Sequence, residues 1–189
     1  MTEDFGHFVD IRPGRDAESL NLSFWPGHLP LKQRWRNNGL SADFLGDYVT
    51  TFFPLDDDIP ETRHRQAEIR GAVSYIANEL LENAMKFHDA GQPEPITILS
   101  LDDEQIVFQE SNGASADNAA AFRAFIARLR EADPGELYLE QLERNALSED
   151  TAGLGYLTMI NDYGAELAWR FEAGHDGGYR VITQVTLKL

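Results

Sequence analysis

Three polar residues in the stretch NELLENAMKFHD (residues 78–89) share one side of a helix by their spacing. On a helix that advances about 100° per residue, Glu79, Asn83 and Lys86 fall within about 60° of one another, because they stand at i, i+4 and i+7. A carboxylate can act as a general base, an amide oxygen can bind a hard metal ion, and an ammonium group can face an anion. An acid, an amide and a cation in one stripe make this helix a candidate site.

An apolar stripe on the same helix lies about 90° from the polar one. Its members are Ile69, Val73, Ile76, Leu80, Ala84 and Phe87. The polar trio is therefore predicted to lie at the rim of a buried face, with Asn78 and Glu82 on the fully solvent side. The alternative is that Glu79 and Lys86 are ordinary surface charges with Asn83 solvated between them.

Composition narrows the classes of partner. The 189 residues are 42% hydrophobic and 11% aromatic, which is typical of a globular chain, and 16 Lys plus Arg stand against 32 Asp plus Glu. Binding to nucleic acid or to an anionic membrane surface depends on clustered positive charge, so a net charge of −16 disfavours both. The absence of cysteine excludes disulfides, thiol catalysis and thiolate metal sites.

Nothing in the sequence predicts export or membrane insertion. The start MTEDFGHFVD is acidic, and no run approaches the roughly 18 apolar residues of a membrane span. The expectation is a cytoplasmic protein. His64, His88 and His175 stand singly, without the spacing of metal ligands, and are expected at the surface.

The first third of the chain predicts one strand and one helix. Residues 1–17 are polar and favour a loose leader, and residues 19–25 alternate as a short strand does. Residues 37–39 (Asn-Asn-Gly) predict a turn, after which Ser41 can cap a helix that ends at Pro54.

That helix is rich in large apolar side chains: Phe44, Leu45, Tyr48 and Phe52. One interpretation is a helix of the core or of a dimer interface. The other is a docking surface for a different protein. The sequence leaves open whether the chain forms a homodimer.

The remaining elements alternate between helices and strand pairs. A long helix is predicted from a Thr62 cap to about His88, and Asp133 and Gly164 give strong start and stop signals for two later helices. Residues 111–113 (Ser-Asn-Gly) are expected to end a strand. The other predicted elements are strands 95–101 and 105–110, helices 116–131, 134–147 and 154–163, and strands 165–172 and 179–188.

This order predicts the fold class. Helices and antiparallel strand pairs occur in separate blocks, which favours an α+β two-layer α/β sandwich with a mixed, mostly antiparallel sheet and helices on one face. Residues 61–189 are predicted to form the main domain, and residues 1–60 an N-terminal extension packed on it.

The motifs in this order resemble the GHKL (Bergerat-fold) ATP-binding domain of histidine kinases, anti-sigma-factor serine kinases, gyrase B and Hsp90. The resemblance covers roughly residues 62–188. It rests on Glu79, Asn83 and Lys86 on a long helix, then a strand hairpin, then Gly153-Leu154-Gly155 opening another helix.

The resemblance implies a role for each motif. Asn83 would be the Mg²⁺ ligand, Glu79 would orient or deprotonate the attacking hydroxyl or water, and Lys86 would face phosphate oxygens of ATP. The amides at Gly153, Leu154 and Gly155 would bind phosphate at a helix N-terminus.

One motif departs from the family pattern. Where the family has Asp-x-Gly-x-Gly, with the Asp binding adenine, this chain has Ser111 at the Asp position and Gly113 as the first glycine, and the second glycine is missing. A serine hydroxyl makes a weaker, uncharged bond. Glu110 is adjacent but should point to the opposite face of its strand.

The stand-alone form looks most like the anti-sigma-factor serine kinases. That resemblance implies ATP-dependent, Mg²⁺-dependent phosphorylation of Ser or Thr on a small STAS-like partner in a partner-switching pathway. The alternative is a degenerate GHKL-fold regulator that acts through protein contacts without catalysis, which the serine at position 111 favours.

Overall fold

A computed structural model describes residues 2–11, 17–23, 35–56, 58–89, 94–146, 153–174 and 177–189. The described helices are α1 (Trp35–Thr50), α2 (Pro60–Phe87), α3 (Ala116–Glu131), α4 (Pro134–Ala146) and α5 (Leu154–Tyr163). The described strands are β1 (Thr2–Phe5), β2 (Glu18–Ser23), β3 (Ile96–Leu101), β4 (Gln105–Ala114), β5 (Glu166–Ala173) and β6 (Tyr179–Lys188).

Contacts divide the chain into two compact units, which are described separately. One unit comprises residues 1–24 and 87–189, and the other comprises residues 25–86. The sheet, α3, α4 and α5 belong to the first unit, and α1 with almost all of α2 belongs to the second. The predicted division between residues 60 and 61 stays a prediction.

The six strands form one sheet in the order β1-β5-β6-β4-β3-β2. Every pairing among the described residues is antiparallel, whereas the sequence predicted a mixed sheet. Together with the five described helices, this sheet confirms the predicted α+β two-layer α/β sandwich. Both predicted hairpins, β3–β4 and β5–β6, are present.

One face of the sheet carries the aromatic core of the first unit. Trp169 and Phe171 of β5 are 1% and 0% exposed, and both rings contact Phe122 of α3 at centroid distances of 6.4 and 6.0 Å. Tyr156 of α5 meets Trp169 edge-on at 6.0 Å. Because α3 and α5 both reach β5 on this side, we call it the helix face.

The opposite face of the sheet is partly covered by the start of the chain. Residues 7–10 cross it, where Val9 N–H donates to the Gln184 side-chain oxygen at 3.1 Å and Gln109 Nε2 donates to the Val9 carbonyl at 2.7 Å. The preceding strand β1 pairs with β5. The prediction of a loose leader was therefore wrong over residues 2–10, because backbone pairing and these two glutamines hold them, and residues 12–16 lie outside the described residues.

The two helices of the second unit pack antiparallel. Asn38 near the start of α1 donates to the Met85 sulfur near the end of α2, and Gln66 Nε2 donates to the carbonyls of Thr50 and Phe53. The turn predicted at residues 37–39 was wrong, since these residues lie inside α1. Asn38 is buried against the partner helix, and that contact outweighs its local turn preference.

The two helices approach each other closely at Gly46. A Cβ atom at this position would lie 2.2 Å from Ser74 Oγ and 3.1 Å from the Arg70 carbonyl oxygen. We expect Gly46→Val to lower the free energy of unfolding by about 1–3 kcal/mol, because the added atoms must displace α2. Gly71→Val is the control, since nothing lies within 4 Å of its Cβ position. Urea denaturation compares the two, and equal stability would contradict the close approach.

Two predicted helix signals are confirmed, whereas the predicted caps Ser41 and Thr62 were wrong because they lie inside α1 and α2. Asp133 Oδ1 accepts the N–H groups of Gly135 and Glu136 at 3.0 Å each, so it caps α4. Gly164 ends α5 in the left-handed conformation, with φ of 63°. No helix within the described ranges has both the length and the apolar character that crossing a membrane requires.

Candidate functional site

The polar trio lies on the last three turns of α2. Glu79 and Asn83 are half-buried and Lys86 is exposed. Glu79 and Asn83 stand one turn apart, so their Cβ atoms are about 5–6 Å from each other. The apolar stripe beside them is buried at Val73, Ile76, Leu80 and Ala84, as predicted.

The Glu79 carboxyl is the perturbed group of this trio. Burial raises its pKa above the ordinary value, the neighbouring Glu82 charge raises it further, and Lys86 opposes both effects. A carboxylate with a raised pKa is a stronger base once it is ionised. The environment of Glu79 therefore suits proton transfer better than that of an ordinary surface glutamate.

Two predictions about the faces of α2 need correction. Asn78 and Glu82 are half-buried rather than fully exposed, and Asn78 Nδ2 donates to Glu82 Oε1 at 3.0 Å. Phe87, predicted in the apolar stripe, is 53% exposed at the end of the helix. The predicted stripe was too narrow, because Ala72, Ala77, Leu81 and Met85 are also buried.

Ser111 and Gly113 do not end a strand as the sequence predicted. Both lie within β4, where Ser111 pairs with Ile182 and Gly113 pairs with Arg180 of β6. Cross-strand hydrogen bonds to β6 outweigh the turn preference of Ser-Asn-Gly. Ser111 is buried, and its hydroxyl accepts from Arg180 Nη2 at 3.3 Å.

The alternation of β4 places Glu110, not Ser111, on the helix face. Glu110 is opposite Thr183 of β6, and Thr183 is opposite Trp169, whose ring contacts α3. On its other side Glu110 is opposite Thr97 of β3. The four side chains form one row across four strands, and each is at most 2% exposed.

This row contains several buried polar atoms without a partner. Among the described residues, none hydrogen-bonds Glu110 Oε1, Thr97 Oγ1 or Trp169 Nε1. Burial raises the pKa of the Glu110 carboxyl well above its ordinary value. An orphaned buried polar group costs about 1–3 kcal/mol, so this row lowers the stability of the folded chain.

The glycine motif opens α5. Gly153 precedes the helix with φ of 86°, a conformation that glycine adopts readily, and as the N-cap residue it makes no side-chain hydrogen bond to the first turn. A Cβ at Gly153 would lie 3.4 Å from the Phe125 ring. Leu154 and Gly155 are the first two helical residues and are half-buried.

Asp89 was missed by the sequence reasoning. Its carboxylate accepts the Ser115 N–H at 2.5 Å and both Oδ atoms accept from Asn118 Nδ2, so it holds the N-terminus of α3. The Ser115 N–H bond is the main reason that the pKa of Asp89 is lowered. Its place before a turn-rich segment gave no signal of a partner 26 residues later.

Removing this carboxylate should destabilise the protein at neutral pH. We expect Asp89→Asn to cost about 1 kcal/mol of unfolding free energy at pH 7, since it loses charge-assisted bonds at a helix N-terminus. The pKa of Asp89 is lowered in the folded state. The stabilisation by its carboxylate is therefore present above the unfolded-state pKa of about 3.9 and is lost as the pH falls through the folded-state pKa. Denaturation at pH 7 and at a series of pH values falling below about 3.9 measures this, with exposed Asp103→Asn as control, and a difference that stays constant as the pH falls would contradict it.

The predicted site residues fall in both compact units. Glu79, Asn83 and Lys86 belong to the second unit, while residues 111, 113 and 153–155 belong to the first. Within the first unit, Ser111 and Gly113 lie next to each other on one face of β4, opposite to the face that α5 contacts through Tyr156. Ser111 and Gly113 therefore do not share a face with the glycine motif.

Comparison with known proteins gives one structural similarity. No protein-family model and no curated protein matches the sequence. Among solved structures, the chain is similar to a chain in the crystal structure of the SiaB-SiaC complex from Pseudomonas aeruginosa, with a TM-score of 0.52. The identity is 15%, and the match covers 91% of this chain and 89% of that chain. At this identity the similarity is one of fold.

Proposed function

We propose that this chain is an ATP-binding regulatory protein of the GHKL type, acting as a serine/threonine kinase on a protein partner. The observation that carries the proposal is the half-buried Glu79 carboxyl, with its raised pKa, one turn before Asn83 on α2. An isolated surface glutamate would not have this environment. A cytoplasmic location is consistent with this role.

The side chains of α2 suit a Mg²⁺-nucleotide. Mg²⁺ takes few protein ligands and fills its octahedral shell with phosphate and water oxygens, so the single Asn83 amide oxygen is a sufficient donor. When bound, Mg²⁺ would neutralise the charge that develops on the phosphates. Glu79 would accept the proton of the attacking hydroxyl, and Lys86, exposed at the helix end, would bind a phosphate oxygen.

The contact to the base stays as the resemblance implies it, at Ser111. Ser111 lies on the face of β4 opposite α3 and α5, whereas Glu110 and Thr183 lie on the helix face.

The partner in this proposal is a small STAS-like protein in a partner-switching pathway. Two observations support a protein partner. The fold resembles that of a chain solved in the SiaB-SiaC complex, which is a complex of two proteins. The net charge of −16 also disfavours nucleic acid.

Titration calorimetry with a non-hydrolysable ATP analogue tests the nucleotide site. We expect binding in the micromolar range that requires Mg²⁺ and weakens at least about tenfold in Asn83→Ala, because the metal ligand is lost. Asn78→Ala is the matched control, since Asn78 is also a half-buried asparagine on α2 and its amide contacts Glu82. Absence of heat in the wild type, with circular dichroism showing a folded protein, would rule out the kinase proposal.

A second candidate is a degenerate regulator of the same fold that binds partners without nucleotide. The full burial of Glu110 and the placement of Ser111 away from the helices favour it, because neither offers an exposed base contact. The same titration separates the candidates: a folded wild type that binds no nucleotide would support the degenerate regulator.

A further inference from the structure

An apolar ridge along α1 and the turn that follows it is exposed among the described residues. It consists of Leu40, Phe44, Tyr48 and Phe52, and Leu40 is 71% exposed, Phe44 51% and Phe52 39%. The Phe44 and Tyr48 rings stack at 6.3 Å, and Tyr48 meets Phe52 edge-on at 5.4 Å. Leu40, Phe44 and Tyr48 are four residues apart and follow one side of α1. Phe52 lies two residues past the end of α1 and continues the line through its ring contact with Tyr48, so these side chains form one continuous surface, here called the aromatic ridge.

The aromatic ridge is not needed to pack α1. The other side of the helix does this through Ala42, Leu45 and Val49, which are 2%, 1% and 0% exposed. A contiguous exposed apolar surface marks an interaction site, and aromatic side chains supply much of the energy at protein interfaces.

The charges around the aromatic ridge select the kind of partner. Asp43 and Asp47 are exposed along one edge of it, and Asp47 pairs with Arg70 at 2.6 Å, so Asp43 leaves the edge negative. Two copies of this chain would bring like edges together and would each carry a net charge of −16. A partner with basic residues beside an apolar surface complements this edge instead.

We propose that the aromatic ridge is the docking site for a protein partner that presents an apolar helix flanked by basic residues. The proposal rests on the proposed function only in the premise that the chain acts on another protein. Docking on α1 is independent of nucleotide, because its residues are separate from Glu79, Asn83 and Lys86.

The test uses a fluorescein-labelled amphipathic peptide of leucine and lysine, with a leucine and glutamate peptide of the same pattern as the charge control. Fluorescence anisotropy without nucleotide should show micromolar binding of the lysine peptide only. We expect Phe44→Ala with Phe52→Ala to weaken binding at least about tenfold. Leu139→Ala with Leu142→Ala is the matched control, because these leucines are 63% and 40% exposed on α4. This control should bind as the wild type does.

Three results would overturn the proposal. One is peptide binding that both double variants lower equally, which would show general charge attraction. The second is concentration-dependent dimerisation in sedimentation that the Phe44 and Phe52 changes abolish, which would make the aromatic ridge a contact between copies. The third is no binding of the lysine peptide to a folded wild type. Nucleotide titration of the Phe44 and Phe52 variant should be unchanged, so failure of docking and failure of the nucleotide site are distinguishable.

Discussion

Under the proposed kinase function, replacing Glu79 with glutamine should lower ATP turnover by about 10²–10⁴-fold at pH 8, because a positioned general base contributes this much to the rate. The amide keeps the size of the side chain and cannot accept the proton. Affinity for the Mg²⁺-nucleotide should change by less than about threefold, since Asn83 and Lys86 are retained. Release of ADP by the purified protein measures turnover, and calorimetry measures affinity.

Glu82→Gln is the control for this prediction. Glu82 is also half-buried, lies three residues further along α2 and has Asn78 as its hydrogen-bond donor. We expect it to keep turnover within a few-fold of the wild type. In the wild type, turnover should rise with pH through the raised pKa of Glu79, because only the ionised carboxyl accepts a proton. Equal losses in both variants would remove Glu79 from the role of base.

Glu110→Gln should make the protein more stable at alkaline pH. Burial raises the pKa of Glu110 in the folded state. The protonated carboxyl therefore contributes fully to the stability of the folded state below the unfolded-state pKa of about 4.3, and this contribution is lost as the pH rises through the folded-state pKa. Glutamine has no such penalty and similar volume. We expect the variant to gain about 1–3 kcal/mol over the wild type at pH 8 and to match it at pH 4.

Urea denaturation from pH 4 to pH 8 checks this expectation. Glu166→Gln serves as the control, because Glu166 is exposed on β5 and its replacement should leave the curve unchanged. Wild-type and Glu110→Gln curves that run parallel across this range would show that the carboxyl keeps its ordinary ionisation.

Periodic helices and hairpins were readable from the sequence because their signals are local. α3 and α5 have the predicted bounds, and α4 follows its predicted bounds as far as Ala146, while residue 147 lies outside the described residues. Apolar periodicity and capping residues depend on neighbours a few positions apart, so no tertiary knowledge is needed.

The errors share a different cause. Three wrongly predicted segments have weak or turn-like local preferences: residues 2–5, 37–39 and 111–113. The conformation of each segment is fixed by contacts with residues far along the chain. The same limit applies to the candidate site. The spacing of the polar residues on α2 could be read from the sequence. Which of Glu110 and Ser111 lies on the helix face depends on which face of β4 meets the helices. Ile106 and Phe108 share that face with Glu110 and were the one available signal, since large apolar residues mark a core-facing side.

The pairing of β1 with β5 has a consequence for synthesis on the ribosome. Asp4 and its ion-pair partner Arg170 are 166 residues apart, so at about 5–20 residues per second β1 waits roughly 10–30 s for its neighbouring strand to emerge. During that interval β1 is an unpaired edge that other nascent chains could extend. Glu3 and Asp4 place two negative charges on this short strand, which opposes such pairing until Arg170 and Arg123 arrive to bind them.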